Sequence, residues 1–248
     1  MTRRVMITGG AKGIGRAIAE SFAKAGDSVL ITGRDEAALD ATAEALGDRV
    51  EWRAMDVSDE ASVQACFAGE TRLDVLVNNA GRAGSAPIGR ETLDNWESMM
   101  AVNSTGVFLC SREALAMMKP AGSGRILTIA STASHAGVPY TAAYTASKHA
   151  ALGFMRSLAS EVAGTGITAN SICPTFVDTE MTQRTIQNIK AKTGKSEEDA
   201  RSILEKGSPL GRLVRPDEIA AAALYLASPE AAAVNGQSLI LDGGGIQS

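Results

Sequence analysis

From end to end the chain keeps one rhythm: a short apolar run, a turn, then a stretch with helical spacing. Apolar runs fall at residues 4–8, 28–32, 50–55, 73–77, 125–130, 167–173 and 238–241. Helical spacing fills 14–25, 36–46, 59–67, 94–118, 141–163, 180–206 and 216–227, and Pro120 marks the end of the fourth. Most of the runs are apolar at every position rather than at alternate ones. Strands read that way when helices cover both faces of a parallel sheet. No break in composition and no linker interrupts the alternation, so the pattern predicts a single doubly wound α/β domain over residues 1–248. That length can bury a sizeable core. Residues 179–213 depart from the rhythm: they are long, charged and lie between a strand and a helix, and they read as a lid over the carboxyl ends of the strands.

Ligands of such a sheet sit at those carboxyl ends, so the turns there carry the functional reading. The first turn is Thr8-Gly9-Gly10-Ala11-Lys12-Gly13-Ile14-Gly15. Glycines allow a tight turn and close approach of backbone to a pyrophosphate, and the helix that follows offers unpaired N–H groups and a positive dipole. The spacing is G-x3-G-x-G, not the G-x-G-x-x-G fingerprint. The second strand ends in Gly33-Arg34-Asp35. An acid at the strand tip would bond the ribose 2′-hydroxyl of NAD, whereas the guanidinium of Arg34, aided by Lys12, suits the 2′-phosphate of NADP. Asp35 has a simpler use as the cap of the next helix. NADP is therefore the expected cofactor and NAD the alternative.

The segment from Ser131 to Tyr144-Thr-Ala-Ser-Lys148 brings a hydroxyl, a phenol and an ammonium into play. Tyr144 and Lys148 are four apart and share a helix face. A cation beside a phenol stabilises the phenolate and is expected to lower its pKa, which makes the phenol a proton donor near neutral pH.

Composition narrows the partners. A net charge of −4 with scattered Lys and Arg argues against nucleic acid or an anionic membrane. No apolar run approaches a membrane span and the first residues do not read as a signal peptide. Three unclustered cysteines (Cys66, Cys110, Cys173) fit a reducing, cytoplasmic compartment, and two histidines without HExxH give no basis for a metal site.

Taken together, these pieces resemble the short-chain dehydrogenase/reductase family over essentially the whole chain. The matching motifs are T-G-x3-G-x-G (Thr8–Gly15), Asp56-Val57 after the third strand, Asn78-Asn79-Ala80-Gly81 after the fourth, Asn103 on the long helix, Ser131, Tyr144-x3-Lys148, Asn170, Pro174-Thr175-Phe176-Val177-Asp178-Thr179, and Leu241-Asp242-Gly243-Gly244. The resemblance implies that Tyr144 exchanges the proton, Lys148 lowers its pKa and bonds the nicotinamide ribose, Ser131 orients the carbonyl, and Asn103 holds a water. It implies that Gly9, Lys12, Gly13, Ile14, Gly15, Arg34, Asp56, Val57, Asn79, Ala80, Gly81, Pro174, Val177 and Thr179, with Tyr144 and Lys148, hold the dinucleotide. Thr175 stands where the family often has glycine. Structural uses are open as well: Ser131 as a strand-end cap, Asn103 as an amide tying helix to strand, Asn78 as a strand-end amide, Asp242 as a turn stabiliser.

The expected substrate pocket is walled by residues 131–140, by Arg82 onward and by the lid, with His135, Pro139, Tyr140, Phe176 and Met181 as candidates; His135 reads either as a substrate ligand or as a loop histidine near the surface. It is small and apolar. Three activities compete: NADPH-linked reduction of a 3-oxoacyl thioester or small hydrophobic ketone; NAD-linked oxidation of a secondary alcohol or hydroxyacid; and a dinucleotide-binding sensor or scaffold without catalysis. The last predicts a broken catalytic set, and the set is intact. The resemblance further implies a homotetramer built through the long helices.

Overall fold

In the computed structural model, which describes residues 2–247, the apolar runs become β1 (Arg4–Thr8), β2 (Ser28–Gly33), β3 (Val50–Ala54), β4 (Val75–Asn78), β5 (Gly124–Ile129), β6 (Ile167–Pro174) and β7 (Ser238–Leu241). They form one parallel sheet in the order β3-β2-β1-β4-β5-β6-β7. The chain runs outward from β1 to β3, then returns to lay β4 against the other side of β1. The strand order therefore switches between β1 and β4, and a crevice opens beyond their carboxyl ends.

The helices are α1 (Gly13–Lys24), α2 (Glu36–Leu46), α3 (Glu60–Ala68), α4 (Leu93–Met100), α5 (Gly106–Ala121), α6 (Ala142–Glu161), α7 (Glu180–Thr193), α8 (Glu197–Lys206) and α9 (Pro216–Leu226). Successive strand residues face opposite sides, so two cores form. Val5, Ile7, Val29, Ile31, Leu127 and Ile172 pack with Ile18 and Phe22 of α1 and Ile219 and Ala223 of α9. Met6, Leu30, Leu76, Ile126 and Ala169 pack with Cys110 and Met118 of α5 and Ala151 and Met155 of α6. This is the single doubly wound domain the alternation predicts. Among the described residues no helix is long and apolar enough to cross a membrane.

Two stretches differ from the sequence expectation. Residues 94–118 do not form one regular helix ended by Pro120. α4 and α5 are joined by a π-helical segment, Ala101–Thr105, and the helix runs through Pro120 to stop at Gly122, whose φ of 62° is left-handed. Residues 180–206 form two helices, because Gly194 adopts a φ of 70° and Ser196 caps α8 by accepting from the Asp199 N–H at 3.0 Å. These helices enclose a small cluster of their own, Ile186, Ala200, Leu204 and Leu213. Its stem is a bridge in which Val214 donates to the Phe176 carbonyl at 2.9 Å and Asp178 donates to the Val214 carbonyl at 2.8 Å.

Candidate active site

The tips of β1 and β4 are tied together by one hydroxyl and one amide. Thr8 Oγ1 accepts from the N–H groups of Asn79 at 3.0 Å and Ala80 at 2.9 Å. Asn79 Nδ2 donates to the carbonyls of Thr8 and Gly9, both at 2.9 Å. These bonds seat the glycine turn on Asn79-Ala80-Gly81. Gly9 has a φ of 66°, and a Cβ there would stand 2.9 Å from the Ala80 Cα. A Cβ on Gly15 would stand 2.5 Å from Asn79 Nδ2. At the start of α1, Lys12 occupies the N-cap position and makes no side-chain cap. The first-turn N–H groups are thus not claimed by a capping side chain, as an anion cradle requires. Ile14 packs on the core behind them.

Arg34 follows the tip of β2 with its side chain 75% exposed, and its Nη1 lies 3.7 Å from Asp56 Oδ2. Asp56 accepts from Ser58 N at 2.9 Å and Ser58 Oγ at 2.6 Å. Burial pushes the Asp56 carboxyl up, but the Ser58 bonds and the Arg34 cation outweigh it and leave it below its ordinary value. Val57 is buried against Gly106, where an added Cβ would come within 2.9 Å of it. Asp35 accepts from the Ala38 N–H at 3.1 Å and so serves as the α2 cap.

Across the crevice, Ser131 lies two residues past β5 and caps the short 3-10 turn Thr132–Ser134, accepting from Ala133 N at 3.1 Å. Its hydroxyl also favours the ionised form of the Tyr144 phenol. Lys148 is buried, donates to the Ile129 carbonyl at 2.8 Å, and stands 5.9 Å from the Tyr144 ring centroid. It has no carboxylate partner among the described residues, and burial pulls its pKa down to about 8. Burial raises the Tyr144 phenol, and the Ser131 hydroxyl offsets this only in part. Burial is the largest influence on the phenol, and the lowering expected from Lys148 does not outweigh it in this structure.

Asn103 lies buried inside the π-helical segment. Its Oδ1 accepts from Arg82 N at 2.9 Å, and its Nδ2 donates to the Arg82 carbonyl at 2.9 Å and to Ser147 Oγ at 3.0 Å. Ser147 in turn donates to the Tyr144 carbonyl at 2.7 Å. Asn103 therefore links the loop after β4 to the helix carrying Tyr144. A Cβ on Gly81 would sit 3.3 Å from Asn103 Oδ1 and 3.8 Å from Lys148 Nζ, so the three converge. Sequence reasoning missed Ser147 and the role of Thr8. The signal for Ser147 was its place three residues after Tyr144, one helical turn on. Asn78 bonds Ser111 and sits within 3.5 Å of Thr128, a structural use, and Asp242 accepts from Gly244, Gly245 and Ile246 in the C-terminal turn.

At the end of β6, Pro174 is the last strand residue, Val177 is buried in the lid stem, and Thr179 Cγ2 lies 3.4 Å from where a Gly13 Cβ would be. Beside the mouth an open apolar groove of about 460 Å³ is lined by Pro87, Ile88, Val138, Tyr140 and Thr145 among others. Tyr140 holds a left-handed φ of 65°, and its carbonyl accepts from Ala86 N at 2.8 Å. Phe176 and Met181 are exposed, while His135 is half-buried and its Nε2 has no partner.

The cradle at the switch point, the two cations beyond it and the hydroxyl pair across from it fit a nicotinamide dinucleotide with its reactive end near Tyr144. The chemistry open to such an arrangement is movement of a hydride and a proton across one C–O bond, which makes this a nicotinamide-dependent oxidoreductase. The family profile described as enoyl-(acyl carrier protein) reductase matches residues 9–245. The chain belongs to the short-chain dehydrogenase/reductase family. It is 39% identical over 252 residues to a protein of Streptomyces virginiae named for the ketoacyl reductase of monensin polyketide synthase, covering 98% of this chain and 97% of that one. It is 40% identical over 246 residues to D-threitol dehydrogenase of Mycolicibacterium smegmatis, covering 96% of this chain and 91% of the relative. A tryptophan variant of actinorhodin polyketide ketoreductase, solved with NADPH, superposes with a TM-score of 0.95 at 36% identity, covering 98% and 97% of the two chains.

Proposed function

We propose that the protein is an NADPH-dependent ketoreductase acting on a 3-oxoacyl thioester or a small hydrophobic ketone. The observation that carries the reading is the Ser131–Tyr144 hydroxyl pair at the mouth of the crevice, with Arg34 and Lys12 at the far end of the nucleotide cradle. The relatives named for ketoacyl and polyketide ketone reduction support it, as does the neighbour solved with NADPH. Use of Asp35 as a helix cap favours Arg34 over an acid at the ribose.

When bound, the nicotinamide supplies the hydride. Ser131 Oγ donates to the substrate carbonyl and fixes its direction. Tyr144 gives its proton to the same oxygen as negative charge develops there, and a phenol held above its ordinary pKa is fully protonated at neutral pH for that step. Lys148, with its ammonium between Ile129 and the Tyr144 ring, stabilises the phenolate left behind. Asn103 holds the loop and helix in register and bonds a water on the path that returns the proton. The groove past Val138 and Tyr140 takes the apolar part of the substrate, and the segment 179–213 closes over it as a lid. Buried, unpaired cysteines support a cytoplasmic location, and exposed Phe108 on α5 supports assembly as a homotetramer through the long helices, which light scattering tests.

A panel of ketones, 3-oxoacyl thioesters, a 2-enoyl thioester and secondary alcohols, read by absorbance with NADPH and NADH, tests the activity. The expected result is ketone or 3-oxoacyl reduction with NADPH. Arg34→Ala should raise the NADPH KM about tenfold and leave NADH nearly unchanged, as loss of a charge-assisted bond implies; equal effects on both would discard the phosphate assignment. Tyr144→Phe should lower turnover by orders of magnitude while cofactor still binds. Oxidation of alcohols linked to NAD alone would replace the reading, and the relative named D-threitol dehydrogenase is the reason alcohols are in the panel.

A further inference from the structure

Glu180, the first residue of α7, sits on the seam between the lid and the glycine turn, with Oε2 3.8 Å from Lys12 Nζ. The approach is not confined to one flexible pair, because Thr179 also abuts Gly13. Thr179, at the N-cap of α7, makes no side-chain cap and donates to the Val177 carbonyl at 3.3 Å instead. Both cations assigned to the 2′-phosphate thus face a carboxylate, Arg34 that of Asp56 and Lys12 that of Glu180. The two carboxylates are not equivalent. Asp56 is fixed by two bonds from Ser58. Glu180 accepts no hydrogen bond among the described residues, and its side chain is 65% exposed.

We propose that Glu180 is a specificity-determining residue for the cofactor: it competes with the 2′-phosphate for Lys12 and so weakens NADPH without touching NADH. The inference rests on the reading of Lys12 and Arg34 as the phosphate site. A phosphate monoester carries nearly two negative charges at neutral pH. Placed on Lys12, it stands within a few ångströms of a second anion that shares the same ammonium, and two anions at that distance repel. Solvent and salt screen the repulsion, so the effect is modest and falls as ionic strength rises. A 2′-hydroxyl neither displaces Glu180 nor repels it.

The test is titration of the cofactor-free protein with NADPH and NADH at low and high salt, read as Kd. Glu180→Gln should tighten NADPH about two- to fivefold at low salt, the scale of an exposed charge pair. The gain should shrink at high salt, and NADH should not change. Glu180→Lys should tighten NADPH further. An unchanged NADPH Kd in Glu180→Gln, or an equal shift for both nucleotides, overturns the proposal. Looser NADPH binding in both variants would make Glu180 a brace for Lys12 and also overturns it. Lys12→Ala separates the two layers. It should remove much of the NADPH preference and abolish the effect of Glu180→Gln. If Lys12→Ala leaves the preference intact, the phosphate assignment of Lys12 falls; if the preference is lost but Glu180→Gln is silent, only the role of Glu180 falls.

Discussion

Lys148 is a buried ammonium with a backbone carbonyl for a partner and no carboxylate among the described residues, so the site is charged at a cost to the fold. Its pKa falls from 10.5 to about 8, which corresponds to about 3 kcal/mol against the cofactor-free folded state. The sign follows from proton counting. Below pH 8 both states hold the proton and the whole penalty is present. Between pH 8 and 10.5 the unfolded chain still holds it while the fold has released it, so stability rises with pH across that window. Lys148→Met should therefore stabilise the cofactor-free protein at pH 7 by about 2 kcal/mol, the penalty less about 1 kcal/mol for the unpaired Ile129 carbonyl. The advantage should vanish by pH 10, and turnover should be lost throughout. Denaturant melts of both proteins at the two pH values check this; a variant less stable at pH 7, or a difference independent of pH, would rule the account out. The identity of Lys148 was legible from its spacing to Tyr144. Its destabilising burial was not, because nothing local in the sequence says that no acid reaches it.

The π-helical segment between α4 and α5 is where the element scale matters most. A regular helix through residues 101–105 would rotate Asn103 to another face, and its side chain would not reach both Arg82 and Ser147. The apolar spacing around it is helical on either side, and five residues of altered period do not stand out in a sequence. The same holds for Pro120: a proline reads as a stop, yet in the last turn it forfeits only one bond and Gly122 does the stopping. The break at Gly194 did carry a signal, a glycine followed by a serine cap, which the long polar pattern of the segment hid. By contrast, the central strands and their turns were legible because their apolar runs are almost wholly buried and the glycines of the first turn have steric reasons, as at Gly9 and Gly15. Asn103→Ala strands the Arg82 N–H and C=O and frees Ser147. The expected cost is about 2 kcal/mol or more, seen as a lower melting temperature, with turnover reduced at least tenfold because Gly81 and the Tyr144 helix lose their common tie. Wild-type melting and turnover in this variant would show that the segment merely decorates the helix.

At the scale of the molecule the two large cores share one sheet, whereas the cluster of Ile186, Ala200, Leu204 and Leu213 belongs to the lid alone. Sequence showed the insertion but not its private core, since four apolar residues within a charged stretch look like ordinary amphipathic periodicity. The physical consequence is a second, weaker cooperative unit. The lid is joined to the rest of the molecule by the Val177–Val214 bridge, the Arg201–Asp178 pair at 3.1 Å, the Ser208 hydroxyl donating to the Asp242 carbonyl at 2.7 Å and the approach of Glu180 to Lys12, whereas β1 is embedded with strands on both sides. Units with few buried apolar contacts open locally at free energies below global unfolding. Amides of α7 and α8 should therefore exchange with solvent much faster than those of β1, β4 and β5. Ile186→Ala, at a fully buried position, costs about 2–4 kcal/mol in the cluster it empties. Lid exchange should then speed up at least thirtyfold, the factor about 2 kcal/mol gives. The melting temperature of the sheet should hardly move, substrate KM should rise, and NADPH affinity should be largely kept. If Ile186→Ala instead lowers the global melting midpoint by its full cost and leaves exchange in α7 no faster than in β4, the lid is part of the main core and does not move as a separate cover.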